Sequence, residues 1–278
     1  MPSDPTKPLL RLTPSADQPR PIGRARPIPS PDAFPRDRQT AAFGPKFARL
    51  AEILARGDGA LELRADPAGL APERLLVFEV RGAISSFAAS IRQVGGLELV
   101  DEEELESDEE DKQPVAYLLV PDMVALRSLE SLWRRWQAGQ LVRGETPWAT
   151  VFEHLRDLRA WGPDDRVQPT DRTFLSAILD GHRDNDLIRL EIELVFRANE
   201  AAARLSEEEA TQALVARGGR VLSRCRLPDI SYHALLADIP AWAVREIIER
   251  KIEGIAGLDA VMHYPSAVRG HDRRDRRS

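Results

Sequence analysis

Hydrophobic and polar positions divide this chain into two stretches of similar pattern. In the first, Phe47, Leu50 and Leu54 recur at helical spacing after Phe43, and Gly57 closes the helix. Leu75–Val80 (LLVFEV) reads as a buried strand, and Gly82 turns the chain. Phe87, Ile91 and Val94 mark one face of a helix over Ser85–Val94, stopped by Gly95–Gly96. Leu97–Val100 and Val115–Val120 read as strands. Asp122 is placed to cap a helix whose Leu126, Leu129, Trp133 and Trp136 share a face. A short fourth strand is expected at Leu141–Arg143. A helix follows from Thr146–Pro147, with Trp148, Val151, Phe152 and Leu155 as its stripe, and Gly162–Pro163 ends it.

The second stretch has clearer punctuation. Ile188–Phe196 (IRLEIELVF) alternates apolar and charged residues, the signature of a strand with one wet face. Ser206 and Glu209 have capping-box spacing, Ala210, Ala213 and Leu214 form a buried stripe, and Gly218 closes that helix. Val221–Leu227 and Ser231–Ile239 read as strands joined at Pro228–Asp229. Pro240 opens a helix with Val244, Ile247, Ile248 and Ile252 inward, and Leu258–Tyr264 supplies the last strand. The expected class is therefore α+β. Two ferredoxin-like (split βαβ) modules, 43–166 and 187–264, are joined by a helical segment, with 167–186 as the linker. Residues 1–42 form a disordered Pro-rich segment, since the first forty residues hold ten prolines and few large apolar side chains. Residues 265–278 form a basic tail.

Composition narrows the function classes. A net charge of −6 argues against a general nucleic-acid or membrane surface. The single cysteine, Cys225, excludes an internal disulfide framework and points to a reducing cytoplasm. The first ten residues carry no apolar leader, and no run approaches the ~20 apolar residues of a membrane span.

Candidate chemistry is sparse. Ala177–His182 (AILDGH) resembles the strand end that carries the catalytic aspartate of subtilisin-like peptidases, but the chain has no matching serine or histidine setting. Asp180 therefore reads as part of a polar turn. Asp180, His182, Asp184 and Asp186 alternate without the spacing of a calcium loop or a zinc set. Asp101–Asp111 holds nine carboxylates in eleven residues, a solvated hairpin connection or an electrostatic dock for a basic partner. Tyr232 and His233 are candidates for a polar handle at a domain face. Cys225 reads as an inert core thiol, and Trp133, Trp136, Trp148 and Trp161 as core. No cofactor or metal is expected.

FGPKFARL (Phe43–Leu50), APERLLVFEVRG (Ala71–Gly82), GLEL (Gly96–Leu99), YLLVPD and LWRRW, followed by TPWATVFEHLRDLRAWGPDDR (Thr146–Arg166), IELVFR, ISYHALLADIP and DAVMHYP, occur in one order over about residues 40–265. In this they resemble the N-terminal, non-catalytic region of large bacterial subtilisin-like serine peptidases. The resemblance implies a chain truncated before the catalytic domain, with no catalytic residue and no enzymatic activity of its own. Its implied role is binding, as folding aid or inhibitor of a subtilisin-like peptidase domain acting in trans or lost. In such prodomains the C-terminal extension lies in the substrate cleft, which here assigns Pro265, Ser266, Ala267, Val268 and Arg269 as cleft ligand, beside Tyr232 and His233 as partner-binding candidates. The resemblance implies two alternatives. One is an interaction module for an AAA-type ATPase, using the Trp-bearing helices and the acidic loop. The other is a frameshifted fragment of a full serine endopeptidase.

Overall fold

In the computed structural model, residues 33–56, 59–66, 69–81, 90–92, 94–104 and 114–264 are described. They form an α+β structure with two four-stranded antiparallel sheets and, among the described residues, eight α-helices. The expected helix over Ser85–Val94 falls largely outside the described residues, as do residues 1–32, most of the acidic run and the basic tail.

The first sheet runs in the order β2-β3-β1-β4, from β1 (Leu76–Arg81), β2 (Leu97–Glu104), β3 (Pro114–Pro121) and β4 (Leu155–Ala160). One face packs on α1 (Arg36–Ala55), α3 (Met123–Gln137) and α4 (Thr146–His154), while the short α2 (Ala60–Ala65) lies beside α1. Phe43, Phe47, Leu50 and Ile53 descend one side of α1, and the Phe47 ring stacks on Trp133 at 4.6 Å. Burying each such side chain contributes about 2 kcal/mol. Asp122 caps α3 by accepting from the Ala125 N–H at 2.7 Å.

Helix α1 begins at Arg36, so Arg36–Ala42 are ordered and the expectation of disorder through residue 42 is corrected there. The reason is Gln39, whose buried amide donates to the Phe152 and Leu155 carbonyls at 2.6 and 2.8 Å and fixes the helix start on the α4–β4 junction. A second correction concerns the fourth strand. Leu141–Arg143 lies outside any strand, and Leu155–Ala160, expected as helix, forms β4 antiparallel to β1. The spacing of Leu155 and Leu158 suits a helix locally, but β1 has an unpaired edge whose backbone groups need partners.

The second sheet repeats the arrangement as β6-β7-β5-β8, from β5 (Leu187–Leu194), β6 (Arg220–Leu227), β7 (Tyr232–Pro240) and β8 (Val261–His263). Helices α7 (Glu200–Ala216) and α8 (Ala241–Ile248) pack on one face through Ala210, Leu214, Val244 and Ile247. Between the sheets lie α5 (Pro163–Arg166) and α6 (Pro169–Leu179). The stretch expected as a linker thus contains α6, and its Leu175 and Leu179 belong to the second core. Helix α7 starts earlier than the Ser206–Glu209 spacing predicts, because Asn199 accepts from the Ala202 N–H at 3.0 Å and caps a run of strong helix formers. Ile252, expected inward, is exposed because α8 stops at Ile248.

The two sheets differ in what covers their second face. On the first, Leu75, Val77, Ala116, Leu118 and Val120 pack under Trp161, Val195 and Met262. The Trp161 indole donates to the Met262 carbonyl at 3.0 Å. Arg166, fully buried, donates to the carbonyls of Val261, Ala256 and Trp161 at 2.8, 3.0 and 2.9 Å. No described element covers the second face of the other sheet. No helix among the described residues is long and apolar enough to cross a membrane.

Candidate functional site

Strand alternation decides which side chains the uncovered face presents. On β5, Ile188, Leu190, Ile192 and Leu194 turn to the helices, leaving Leu187, Arg189, Glu191 and Glu193 on the other side. Cross-strand register places Tyr232, Ala234, Leu236 and Asp238 of β7 on that same face, with Arg220, Ser223, Cys225 and Leu227 of β6. Leu187 and Leu227 are about half exposed, and Ile230, in the turn between β6 and β7, is more exposed still.

The centre of this face is an ion-pair clamp. Asp238 accepts from Arg189 Nε at 3.0 Å and from Arg220 Nε and a terminal nitrogen at 3.1 and 2.8 Å, tying three strands together. These donations, from Arg189 first, hold the Asp238 carboxyl below its ordinary range. Tyr232 donates its hydroxyl to Glu191 Oε1 at 2.6 Å. Burial, then that hydrogen bond, raises the Tyr232 phenol above its ordinary pKa.

Of the residues singled out from sequence, Tyr232 lies on this face and His233 does not. His233 faces the helices, is 1% exposed, and sets Nε2 at 3.2 Å from Glu207 Oε2. Neighbouring residues in a strand point to opposite faces, so the two form no common handle. Pro265, Ser266, Ala267, Val268 and Arg269 lie outside the described residues. Cys225, expected in the core, is exposed, because β6 is an edge strand with nothing packed on that side among the described residues. Trp133, Trp136, Trp148 and Trp161 are each buried, so these four rings provide no partner surface. Asp184 pairs with Arg245, and Asp186 accepts from the Arg183 N–H, so the Asp-rich turn is occupied by its own structure. No group of three or more potential metal ligands occurs among the described residues.

A second feature is absent from the sequence reading. A cleft of about 360 Å³ lies between the first module, at Arg64, Glu73 and Arg74, and the second, at Arg197, Ser206, Glu209 and Asp259. Arg74 is buried and donates to Asp259 at 3.1 Å and to the Arg64 carbonyl at 2.8 Å. Arg197, also buried, donates to the Glu73 carbonyl, and its Nε has no partner. Burial pulls the Arg197 guanidinium below its ordinary pKa, opposed by Glu98 and Glu73. The Glu209 carboxyl is pushed up by burial, with the Asp259 charge adding to it. The cleft joins the modules through ion pairs. Its one serine, Ser206, has no histidine among the lining residues to serve as base, so the set does not compose a nucleophile with its activator. Sequence reasoning missed these residues because an arginine carries no local mark of burial.

Compared with known proteins, the chain matches no family model, no curated protein and no solved structure.

Proposed function

We propose that this chain acts by binding, as a non-catalytic, prodomain-like partner of a subtilisin-like serine peptidase domain, aiding its folding or inhibiting it. In this reading each module is a ferredoxin-like (split βαβ) unit. The strand order supports that, since each sheet places its first and third strands at the centre and its second and fourth at the edges. The observation that carries the proposal is the uncovered face of the second sheet. The corresponding face of the first sheet is covered by apolar side chains, whereas this one presents Leu187, Leu227 and Tyr232 around a rigid Arg–Asp–Arg clamp. A preformed sheet of this kind binds without paying much ordering entropy. Binding to a native-like peptidase surface lowers the free energy of the folded side of a slow, non-local folding reaction.

The test adds the purified chain to refolding subtilisin-like peptidase domains and to folded ones, following hydrolysis of a chromogenic peptide. The expected result is faster recovery of activity or dose-dependent inhibition. Both effects should be lost in Leu187→Asp/Leu227→Asp and kept in Val215→Asp, an exposed change on α7. Neither effect across the panel, or equal behaviour of the two variants, overturns the reading.

A further inference from the structure

Each sheet has two edge strands, and the longer one in each has no strand on its outer side among the described residues. These longer strands are β2 at the edge of the first sheet and β6 at the edge of the second, each eight residues long. They occupy equivalent places in the two sheet orders. Their charges are opposite. β2 carries Glu98, Asp101, Glu102, Glu103 and Glu104 with no basic residue, and β6 carries Arg220, Arg224 and Arg226 with no acidic one. Free edges offer a row of backbone donors and acceptors to another strand, and proteins normally blunt them with like charge. Here each edge repels a copy of itself and attracts the other.

We infer that copies of this chain join head to tail, β2 of one pairing with β6 of the next. The complementarity holds on both faces of the joined sheet. Glu102 stands opposite Tyr117, a residue of the helix-side core, and Arg224 and Arg226 stand opposite Leu235 and His233 on the helix side of their own sheet. Asp101 stands opposite Leu118 on the other face, and Arg220 stands opposite Asp238, which also faces away from the helices. The bulges between Leu99 and Asp101 and between Val221 and Ser223 leave Asp101–Glu104 and Ser223–Leu227 in regular register. Arg220 and Arg224 are 66% and 51% exposed, so they can reach a second strand while keeping their contacts to Asp238 and Glu207. Pairing β2 with β2, or β6 with β6, would set like charges opposite each other, which destabilises a ladder. The contact is heterologous, so it propagates from copy to copy into a ring or an open chain. It uses sheet edges and stands independently of the proposed peptidase partner.

Sedimentation velocity of the full chain over a concentration series, at about 20 mM and about 500 mM salt, reads the assembly directly because screening weakens exposed ion pairs. Concentration-dependent species larger than one chain are expected at low salt and should recede at high salt. Glu102→Arg and Arg224→Glu should each lower the association constant by about tenfold or more, and the chain carrying both should regain it. In a 1:1 mixture of the two single variants the unaltered β2 and β6 match each other and so do the two reversed edges, so assembly should be regained. Circular dichroism confirms that each variant is folded, and the wild-type salt series decides the matter if one is not. A wild type that stays monomeric at every concentration overturns the inference. So does assembly indifferent to the charge reversals, or a mixture that remains monomeric.

Discussion

Arg166 offers the sharpest test of how the two modules are held together. Its guanidinium is 1% exposed and donates three hydrogen bonds, to the Val261, Ala256 and Trp161 carbonyls, with Asp259 at 3.6 Å. Burial pulls its pKa below the ordinary arginine value, while the Asp259 charge opposes that shift. Replacement by Met fills similar volume and removes all three donors. Each carbonyl left without a partner in the interior costs about 1–3 kcal/mol. Part of the sum is returned, because the variant no longer desolvates a cation. Removing one side of a buried charged network destabilises by about 3–5 kcal/mol, and Arg166→Met should fall in that range. Arg166→Lys should recover only part of it, since one ammonium cannot serve three carbonyls held by a planar fork. Urea unfolding followed by circular dichroism gives the free energy, and tryptophan fluorescence should report the change around Trp161. A loss below about 1 kcal/mol with an unchanged m-value would refute the claim that these hydrogen bonds hold the junction.

Three further outcomes follow from single sites. Gly96 has φ +81° and its absent Cβ would lie 2.1 Å from an Asp122 carboxylate oxygen, so Gly96→Ala should lower stability by about 2 kcal/mol by adding backbone strain and disturbing the α3 cap; an unchanged melting temperature would count against it. The Asp238 carboxyl titrates below its unfolded value, so its contribution is present above the ordinary carboxylate range and is lost as pH falls through its depressed folded pKa. Asp238→Asn should therefore flatten the acid limb of a plot of melting temperature against pH, and an identical limb would refute the clamp. Cys225 is the only cysteine and is exposed, so the native protein should take up one equivalent of a thiol reagent without denaturant. A thiol that reacts only after unfolding would place it inside.

Much of the local structure was legible because it rests on short-range rules. The Asp122 cap, the Gly218 helix stop and the Pro228–Asp229 turn each follow from side-chain chemistry within a few residues. The misreadings share a cause. Leu155–Ala160 became a strand because β1 needed a partner there, and Cys225 is exposed because β6 lies at an edge. The inter-module cleft was invisible, since Arg74, Arg197 and Asp259 are remote from one another in sequence.

The sequence by itself determined which strands have a wet face. Apart from Glu79, LLVFEV and VAYLLV are apolar, and the structure packs apolar residues of both strands on both faces, whereas IRLEIEL alternates and keeps one side exposed. That information is local, because burial on one or two faces imposes period two or none. Only the tertiary structure decided what does the covering. Trp161, Val195 and Met262 close the first sheet, and no described element closes the second. Which surfaces meet depends on contacts between residues up to nearly two hundred positions apart, as in the pairing of Arg74 with Asp259, and no local pattern encodes that choice.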